Sequence, residues 1–460
     1  MLKLETSQRI HFIGIGGAGL SAIARILLER GYTVSGSDLK GNPLTAALAA
    51  AGARVSVGHD ERHVKGADVV LATSAAAADH VEILAARARN IPVYTRKDFM
   101  GAILHNCDTI AIAGTHGKTT TTSMIIHVLK RAAQDPSFIV GGTLANWGTN
   151  AGVGQGPSFV IEADEYDNMF HGLRPQLAVV TNVEHDHPDF FKTPAQTLIA
   201  FRIFVDAIAP EGHLVACADD DAALSIAEAH QAGGGNLTTY GINNAAAEWR
   251  AEDLRFSGGS VIASILRHSS PRAELTLGVP GAHNVLNALA AIAAAERRGV
   301  SPEESADALS SFRATARRFE VRGERDGVTV IDDYAHHPSE IRVNIEAARL
   351  HFPECQIWAV WQPHTYSRVK QFWRGFVTAF ADAQGVLVTP IFAAREAPLK
   401  GVSSEALVKA MSIECRADYV PSFDAAADIL RRKVRAPAAV LIFSAGDANL
   451  IADKFLAERS

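Results

Sequence analysis

Twice in this chain a short β-branched run ends in a glycine turn and passes directly into a helical pattern. The first case is "RIHFIGIGGAGLSAIARIL" from Arg9, the second "DTIAIAGTHGKTTTTSM" from Asp108. Strand, glycine turn and helix open a βαβ unit, and the unit commits the chain around it to a parallel sheet covered by helices. The rhythm continues after each. "TVSGSD", "ARVSVG", "DVVLATSA" and "IPVYT" follow the first, and "FVIEAD", "QLAVVTNV" and "HLVACA" follow the second. Between 236 and 280 the texture changes to short alternating strands such as "SVIASILRH" and "AELTLGV". The strong helix "AHNVLNALAAIAAAERRG" comes next, and then a third series, "VTVIDDYA", "CQIWAVWQP", "GVLVTPI" and "AVLIFSAG". An α/β protein is expected, and 460 residues suffice for three domains. We place them at residues 1–105, 106–320 and 321–460.

Composition narrows the field. Net charge is -6, from 44 basic and 50 acidic residues. That disfavours nucleic acid and membrane surfaces as partners, because both attract excess positive charge. The 4 cysteines are scattered without a C-x-x-C pair, so reduced thiols in a cytoplasmic protein are expected. "MLKLETSQRIHF" lacks a signal-peptide core, and no apolar run approaches the roughly 20 residues of a membrane helix.

Both glycine turns read as phosphate cradles, since the first N–H groups of a helix and its dipole attract anions. In the second, Gly114, Thr115, His116 and Gly117 precede Lys118, which would reach the β/γ-phosphates of a nucleotide. Thr119 would offer its hydroxyl to Mg²⁺, and Thr120 continues the turn. The standard spacing would want glycine at Ile112, so this is a compact variant. Glu162 ends the strand of "FVIEADEYDNMF", where a carboxylate meets a Mg²⁺–phosphate complex, with Asp164, Glu165 and Asp167 close behind. "TNVEHDHPDFF" gathers Glu184, His185, Asp186, His187 and Asp189. His-x-His suits zinc, but a second magnesium fits better beside a nucleotide. "RRFEVRGERDGVTVIDDYAHHPSEI" offers Arg317 or Arg318 to a transferring phosphoryl group, then Asp332, Asp333, Tyr334, His336 and His337 at a strand end. "WQPHTYSRVKQF" repeats the arrangement with His364, Tyr366, Arg368 and Lys370; arginine there either grips a carboxylate or ends a basic, wet helix. The first cradle, with Asp38 ending "TVSGSD", fits a dinucleotide as well as a nucleotide sugar, since both carry a pyrophosphate.

Taken together, "GIGGAGLSAIA", "AGTHGKTTTTSM", "EADE.D", "TNVEHDHPD", "HNVLNALAA", "RRFE", "DDYAHHPSE" and "QPH.YSR" resemble the Mur ligases, ATP-dependent amino-acid ligases of bacterial cell-wall synthesis, over essentially the whole chain. The resemblance implies a Rossmann-like N-terminal domain for a UDP-sugar, a P-loop-type central ATPase domain and a Rossmann-like C-terminal domain for the incoming amino acid. By position, Gly16, Gly17, Ala18, Gly19, Ser37, Asp38, Thr73, Ser74 and Ala75 would line the UDP-sugar site. Lys118 and Thr119 would serve ATP. Glu162 and Thr119 would hold one Mg²⁺ and His187 a second. His283, Asn284 and Asn287 match the nucleotide-side "HN..N" motif, and Arg318 and Asp333 the residues facing the γ-phosphate and the ATP ribose. His336, His364 and Arg368 fall where the amino acid is recognised. The activity implied is transfer of a γ-phosphoryl group to the carboxylate of UDP-N-acetylmuramate and displacement of phosphate by L-alanine. It would take place in the cytoplasm, in a monomer or homodimer. Two residues depart from the alanine-adding branch: Tyr166 stands where serine is usual, and Thr365 where arginine is usual. Tyr166 matches the recycling branch, which attaches the preformed tripeptide L-Ala-γ-D-Glu-meso-diaminopimelate. A nicotinamide oxidoreductase and a nucleotide-binding switch are the readings from other classes.

Overall fold

The structure, a computed structural model, describes residues 4–257 and 259–457. The chain divides into two compact units. The first comprises Met1–Glu184, Leu198–Arg250 and Leu289–Ala308; the second comprises His185–Thr197, Ala251–Ala288 and Leu309–Ser460.

The first unit holds two sheets. One contains β1 (Arg9–Ile13), β2 (Thr33–Asp38), β3 (Arg54–Val57), β4 (Val69–Ala72) and β5 (Val93–Tyr94), ordered β3-β2-β1-β4-β5 with every pairing parallel. The reversal of order beside β1 is the switch point at which α/β sheets bind ligands. The other contains β6 (Asp108–Ala113), β7 (Ser137–Leu144), β8 (Thr149–Gly152), β9 (Ser158–Glu162), β10 (Leu177–Val180), β11 (His213–Cys217) and β12 (Asn236–Gly241). Their order is β12-β11-β10-β6-β9-β7-β8, and Trp249–Arg250, at the start of β13 (Trp249–Ser257), pair with Tyr240–Gly241. β6, β9 and β10 are adjacent and parallel, so the segments leaving their carboxyl ends emerge side by side. Buried residues run almost unbroken along all three, as expected of strands covered on both faces.

In the second unit, β14 (Ser260–Arg267) and β15 (Ser270–Leu277) form an antiparallel hairpin. A six-stranded sheet follows, with β16 (Glu320–Arg325), β17 (Val328–Asp333), β18 (Gln356–Trp361), β19 (Gly385–Val388), β20 (Ala417–Tyr419) and β21 (Ala438–Phe443) ordered β16-β17-β21-β18-β19-β20. Successive side chains leave a strand on opposite faces. Ile357, Ala359, Trp361, Leu441 and Phe443 accordingly pack on one side with Ile341, Ile345 and Phe380. Trp358, Val360, Val440 and Ile442 pack on the other with Leu430, Ile451 and Phe455.

The α/β class and every strand named from the sequence are present. The unforeseen strands include β8, β16 and β20, each at a sheet edge. β8 reads "TNAG" and β16 reads "EVRGER". An edge strand needs no continuous apolar run, so its sequence carries little signal. Among the described residues the four cysteines are free, and no helix is long and apolar enough to cross a membrane.

Candidate active site

The lysine loop leaves β6 through two glycines whose backbones other residues would resist. Gly114 has φ +145°, and a β-carbon there would lie 1.8 Å from Thr181 Oγ1. Gly117 has φ 79° and starts the helix Lys118–Arg131 with no side-chain cap, which leaves the first N–H groups of that helix to an anion. The segment after β10 braces the loop. Asn182 O accepts from Thr115 N (2.9 Å), Asn182 Oδ1 from His116 N (2.8 Å), and Thr181 Oγ1 donates to His116 O (2.6 Å). Glu184 N donates to Thr115 Oγ1 (2.8 Å), and His116 Nε2 lies 2.9 Å from Glu184 Oε2.

Lys118 folds back over its own loop. Its ammonium donates to the carbonyls of Gly114 and Thr115 and pairs with Glu165 at 2.8 Å. Burial opposes the charge, but Glu165, Asp164 and Glu162 outweigh it, and the lysine pKa is raised. Thr119 Oγ1 donates to Glu162 Oε1 (3.0 Å), and Gly141 N to Glu162 Oε2 (2.7 Å). Thr119 and Glu162, the two residues expected to share one Mg²⁺, are thus in contact, while Lys118 is paired with Glu165. Thr120, next along the helix, is half-buried.

The glycine loop after β1 is built differently. Gly14 (φ +83°) and Ile15 donate to Ser37 O, and Gly16 N donates to Asp38 Oδ2 (2.8 Å). Asp38 thus steadies the loop. Gly17 caps the helix Ala18–Glu29 without a side-chain cap, so this cradle too has uncommitted leading N–H groups. Thr73, Ser74 and Ala75 follow β4; Thr73 closes on Gly14, where a β-carbon would meet its Cγ2 at 2.8 Å, and Ser74 and Ala75 are exposed. Ser37 is already engaged, donating to the fully buried Glu82 (2.7 Å). Glu82 also accepts from Asp60 N (3.2 Å) and stands 3.1 Å from His11 Nε2 and 3.0 Å from His63 Nδ1. Burial works against its charge; His11, Ser37 and His63 together prevail and hold its pKa at about 2. Sequence reasoning passed over Glu82, since one glutamate in an alanine-rich helix carries no motif.

In the second unit Asp186 is the hub. Arg368 reaches both its oxygens, Nε at 2.9 Å and Nη2 at 3.2 Å, and both side chains are buried. Arg368 Nη1 lies 2.9 Å from His364 Nδ1, which must accept, because a guanidinium only donates. Burial, with His336 and Arg368 beside it, pushes His364 down to about 3. His336 Nε2 is 3.8 Å and His187 Nε2 3.7 Å from Asp186 Oδ2. The residues expected to recognise the amino acid, His336, His364 and Arg368, thus converge with His187 on one carboxylate. Thr365, in place of the expected arginine, caps the helix Tyr366–Gln371 with its backbone at φ 59°, and its Oγ1 accepts from Arg368 N (3.4 Å).

The sequence left Arg317 and Arg318 as alternatives for the phosphoryl group. Arg317 is committed to Asp332 (3.3 Å) and the Ser444 carbonyl, whereas Arg318 sits over Tyr334 at 5.3 Å and only 3.9 Å from Glu340. Asp333 is buried, accepting from Phe319 N and Ala335 N (both 2.7 Å) and Asn344 Nδ2 (3.1 Å); burial raises its pKa to about 6, although Arg318 opposes the shift. His283 is pushed down to about 4 by burial. Asn284 donates to Pro280 O and Asn287 to Asn284 Oδ1, so both amides hold the start of the helix Ala282–Glu296.

The glycine cradle and the lysine cradle leave parallel strands of two separate sheets, and a third sheet follows. The chain belongs to the Mur ligase family, with a three-domain α/β fold. Family models match at residues 9–107 (Mur ligase family, catalytic domain), 112–295 (Mur ligase middle domain) and 317–446 (Mur ligase, glutamate ligase domain). A UDP-N-acetylmuramate–L-alanine ligase of Rubrobacter xylanophilus is 44% identical over 98% of this chain and 100% of its own length. One from Acetivibrio thermocellus is 38% identical over 98% and 96%. Among solved structures, the UDP-N-acetylmuramate-alanine ligase of Thermotoga maritima superposes with TM-score 0.82 at 29% identity, covering 98% of each chain. A murein peptide ligase of Psychrobacter arcticus superposes with TM-score 0.71 at 25% identity, again covering 98% of each.

Proposed function

We propose that this protein joins L-alanine to the carboxylate of UDP-N-acetylmuramate, with ATP as phosphoryl donor. The observation that carries the reading is the Lys118–Thr119–Glu162 constellation at the mouth of an uncapped helix, in a chain whose full-length relatives are ligases of that name. A carboxylate resists nucleophiles because its charge repels them. Phosphorylation makes it a mixed anhydride: a carboxylate oxygen bonds to the γ-phosphorus and ADP leaves with the electron pair of the broken P–O bond. An unprotonated amine then attacks the carbonyl, phosphate leaves with the electron pair of the broken C–O bond, and the nitrogen gives up one proton to solvent. Catalysis then amounts to positioning and charge stabilisation.

Each cradle has its task. The glycine loop with Gly16, Gly17, Ala18 and Gly19 takes the diphosphate of the sugar nucleotide. The lysine loop takes ATP; Lys118 leaves its two carbonyls and Glu165 for the β/γ-phosphates. The paired hydroxyl and carboxylate of Thr119 and Glu162 are hard oxygen donors that fit Mg²⁺, an ion that typically keeps one or two carboxylates beside phosphate oxygens. His187 is assigned the second ion. When bound, magnesium neutralises phosphate charge. Arg318 adds positive charge for the phosphoryl group, and Asp333, His283, Asn284 and Asn287 complete the nucleotide residues. His336, His364 and Arg368 take the amino acid, with Asp186 setting the fork of Arg368. We assign residues 1–105, 106–320 and 321–460 as the domains, and a cytoplasmic monomer or homodimer acting on small molecules. A second reading, addition of the preformed tripeptide, rests on Tyr166.

Phosphate release with UDP-N-acetylmuramate and ATP–Mg²⁺, scanned over L-alanine, glycine, L-serine and the tripeptide, tests the assignment. L-alanine should give the highest kcat/KM, and an ¹⁸O label in the muramyl carboxylate should reach the released phosphate. Preference for the tripeptide would move the protein to the second reading. Absence of label in phosphate would end the acyl-phosphate route.

A further inference from the structure

The glycine cradle has no lysine of its own, but a cation stands over it. Arg96 opens the helix Arg96–Ile103 after β5, and its guanidinium crosses to the first turn of the helix Ala18–Glu29. A β-carbon on Gly19 would lie 2.2 Å from Arg96 Nη1, so glycine at this position is what lets the guanidinium lie there. On its other side Arg96 Nη2 donates to Asp164 Oδ2 at 2.8 Å. Asp164 in turn is one of the carboxylates that raise the pKa of Lys118. Arg96 and Asp164 are only part-buried, which leaves the pair open to exchange with an anion.

We propose that Arg96 is a binding residue for the diphosphate of the sugar nucleotide, held by Asp164 until that diphosphate takes its place on the guanidinium. The inference rests on the glycine loop being the UDP-sugar cradle. It supplies the counter-charge which that loop lacks: a planar fork suited to phosphate oxygens, beside helix N–H groups already pointed at them. It also gives Gly19 a physical role, since the space a side chain would fill there belongs to Arg96.

Titration calorimetry with UDP-N-acetylmuramate and with UDP, without ATP or magnesium, tests this on the wild type, R96A, G19A, the double variant and D164N. R96A should weaken both ligands by about tenfold or more, as expected for a lost charge-assisted contact. G19A should weaken them similarly by displacing the guanidinium, yet keep or raise thermal stability, since alanine is the better helix residue. The double variant should be no weaker than R96A alone, because both changes remove one contact. D164N should bind as tightly as the wild type or tighter. Unchanged affinity in R96A would overturn the proposal. So would additive losses in the double variant, which would mean that the methyl group itself meets the phosphate. Equal weakening by R96A and D164N would make the pair a structural clasp. Should the wild type bind neither ligand, the UDP-sugar reading itself fails, a separate result.

Discussion

The two cradles share one backbone plan and differ in where their charge comes from. Each is a β-strand, a glycine turn and a helix without a side-chain cap. The lysine loop carries its cation within itself, at the first residue of its helix, and neutralises it locally with Glu165. The glycine loop has no cation in its own sequence; Arg96 arrives from a different helix. On the proposed assignment, the loop given the transferring phosphoryl group has its cation at a fixed register, and the loop given the diphosphate borrows one from a neighbouring helix. Their supports differ as well. The lysine loop is braced by Thr181, Asn182 and Glu184, the glycine loop by Asp38 and, through Ser37, by Glu82.

The largest effect should separate the two tasks. Lys118→Ala should lower ligation by on the order of 10³-fold or more, as loss of a phosphoryl-stabilising cation does, while the dissociation constant of UDP-N-acetylmuramate stays within about twofold. Single-turnover phosphate release and calorimetry read the two quantities. Equal loss of both would erase the division of labour.

Next comes backbone strain. Gly114→Ala places a methyl 1.8 Å from Thr181 Oγ1 at φ +145° and should cost about 3 kcal/mol in urea unfolding. Gly31→Ala, at φ +85° with nothing within 4 Å, should cost about 1–2 kcal/mol. Equal costs would mean that the Thr181 brace yields.

The cradles should also answer pH in opposite directions. Glu82, held at about 2, adds stability that is complete above the ordinary glutamate range and lost as pH falls toward 2. Lys118, raised above its ordinary value, adds stability that is complete below that value and lost as pH rises through the raised one. Glu82→Gln should therefore cost about 1–3 kcal/mol at neutral pH and flatten the acid limb of thermal stability against pH. Lys118→Met should flatten the alkaline limb and, by leaving the buried Glu165 without its cation, also lower stability at neutral pH. The smallest change is Ser37→Ala, about 1 kcal/mol, with UDP-sugar affinity altered no more than about threefold because the hydroxyl is given to Glu82. A tenfold loss of affinity would show that Ser37 leaves Glu82 for the ligand.

Much of this was legible in the residues. Lys118, Thr119 and Glu162 could be paired on paper because each sits at the end of an apolar strand or the start of the next helix, and adjacent parallel strands deliver such positions to one edge. "TNVEHDHPDFF" was legible only in part. Read as a metal cluster, it divides: Thr181, Asn182 and Glu184 brace the lysine loop, and Asp186 anchors Arg368. Arg368 was expected to meet an amino acid, but the carboxylate that orients it lies 182 residues away and no local pattern points to it.

The sequence by itself determined the α/β class, the strand-to-helix glycine turns and the chemistry-bearing strand ends, because periodicity and φ preference are local properties of a chain. Only the tertiary structure decided which charges meet. It chose Arg317 for Asp332, Asp186 for Arg368 and Arg96 for Asp164. Ion pairing acts through space over a few ångströms and is indifferent to distance along the chain.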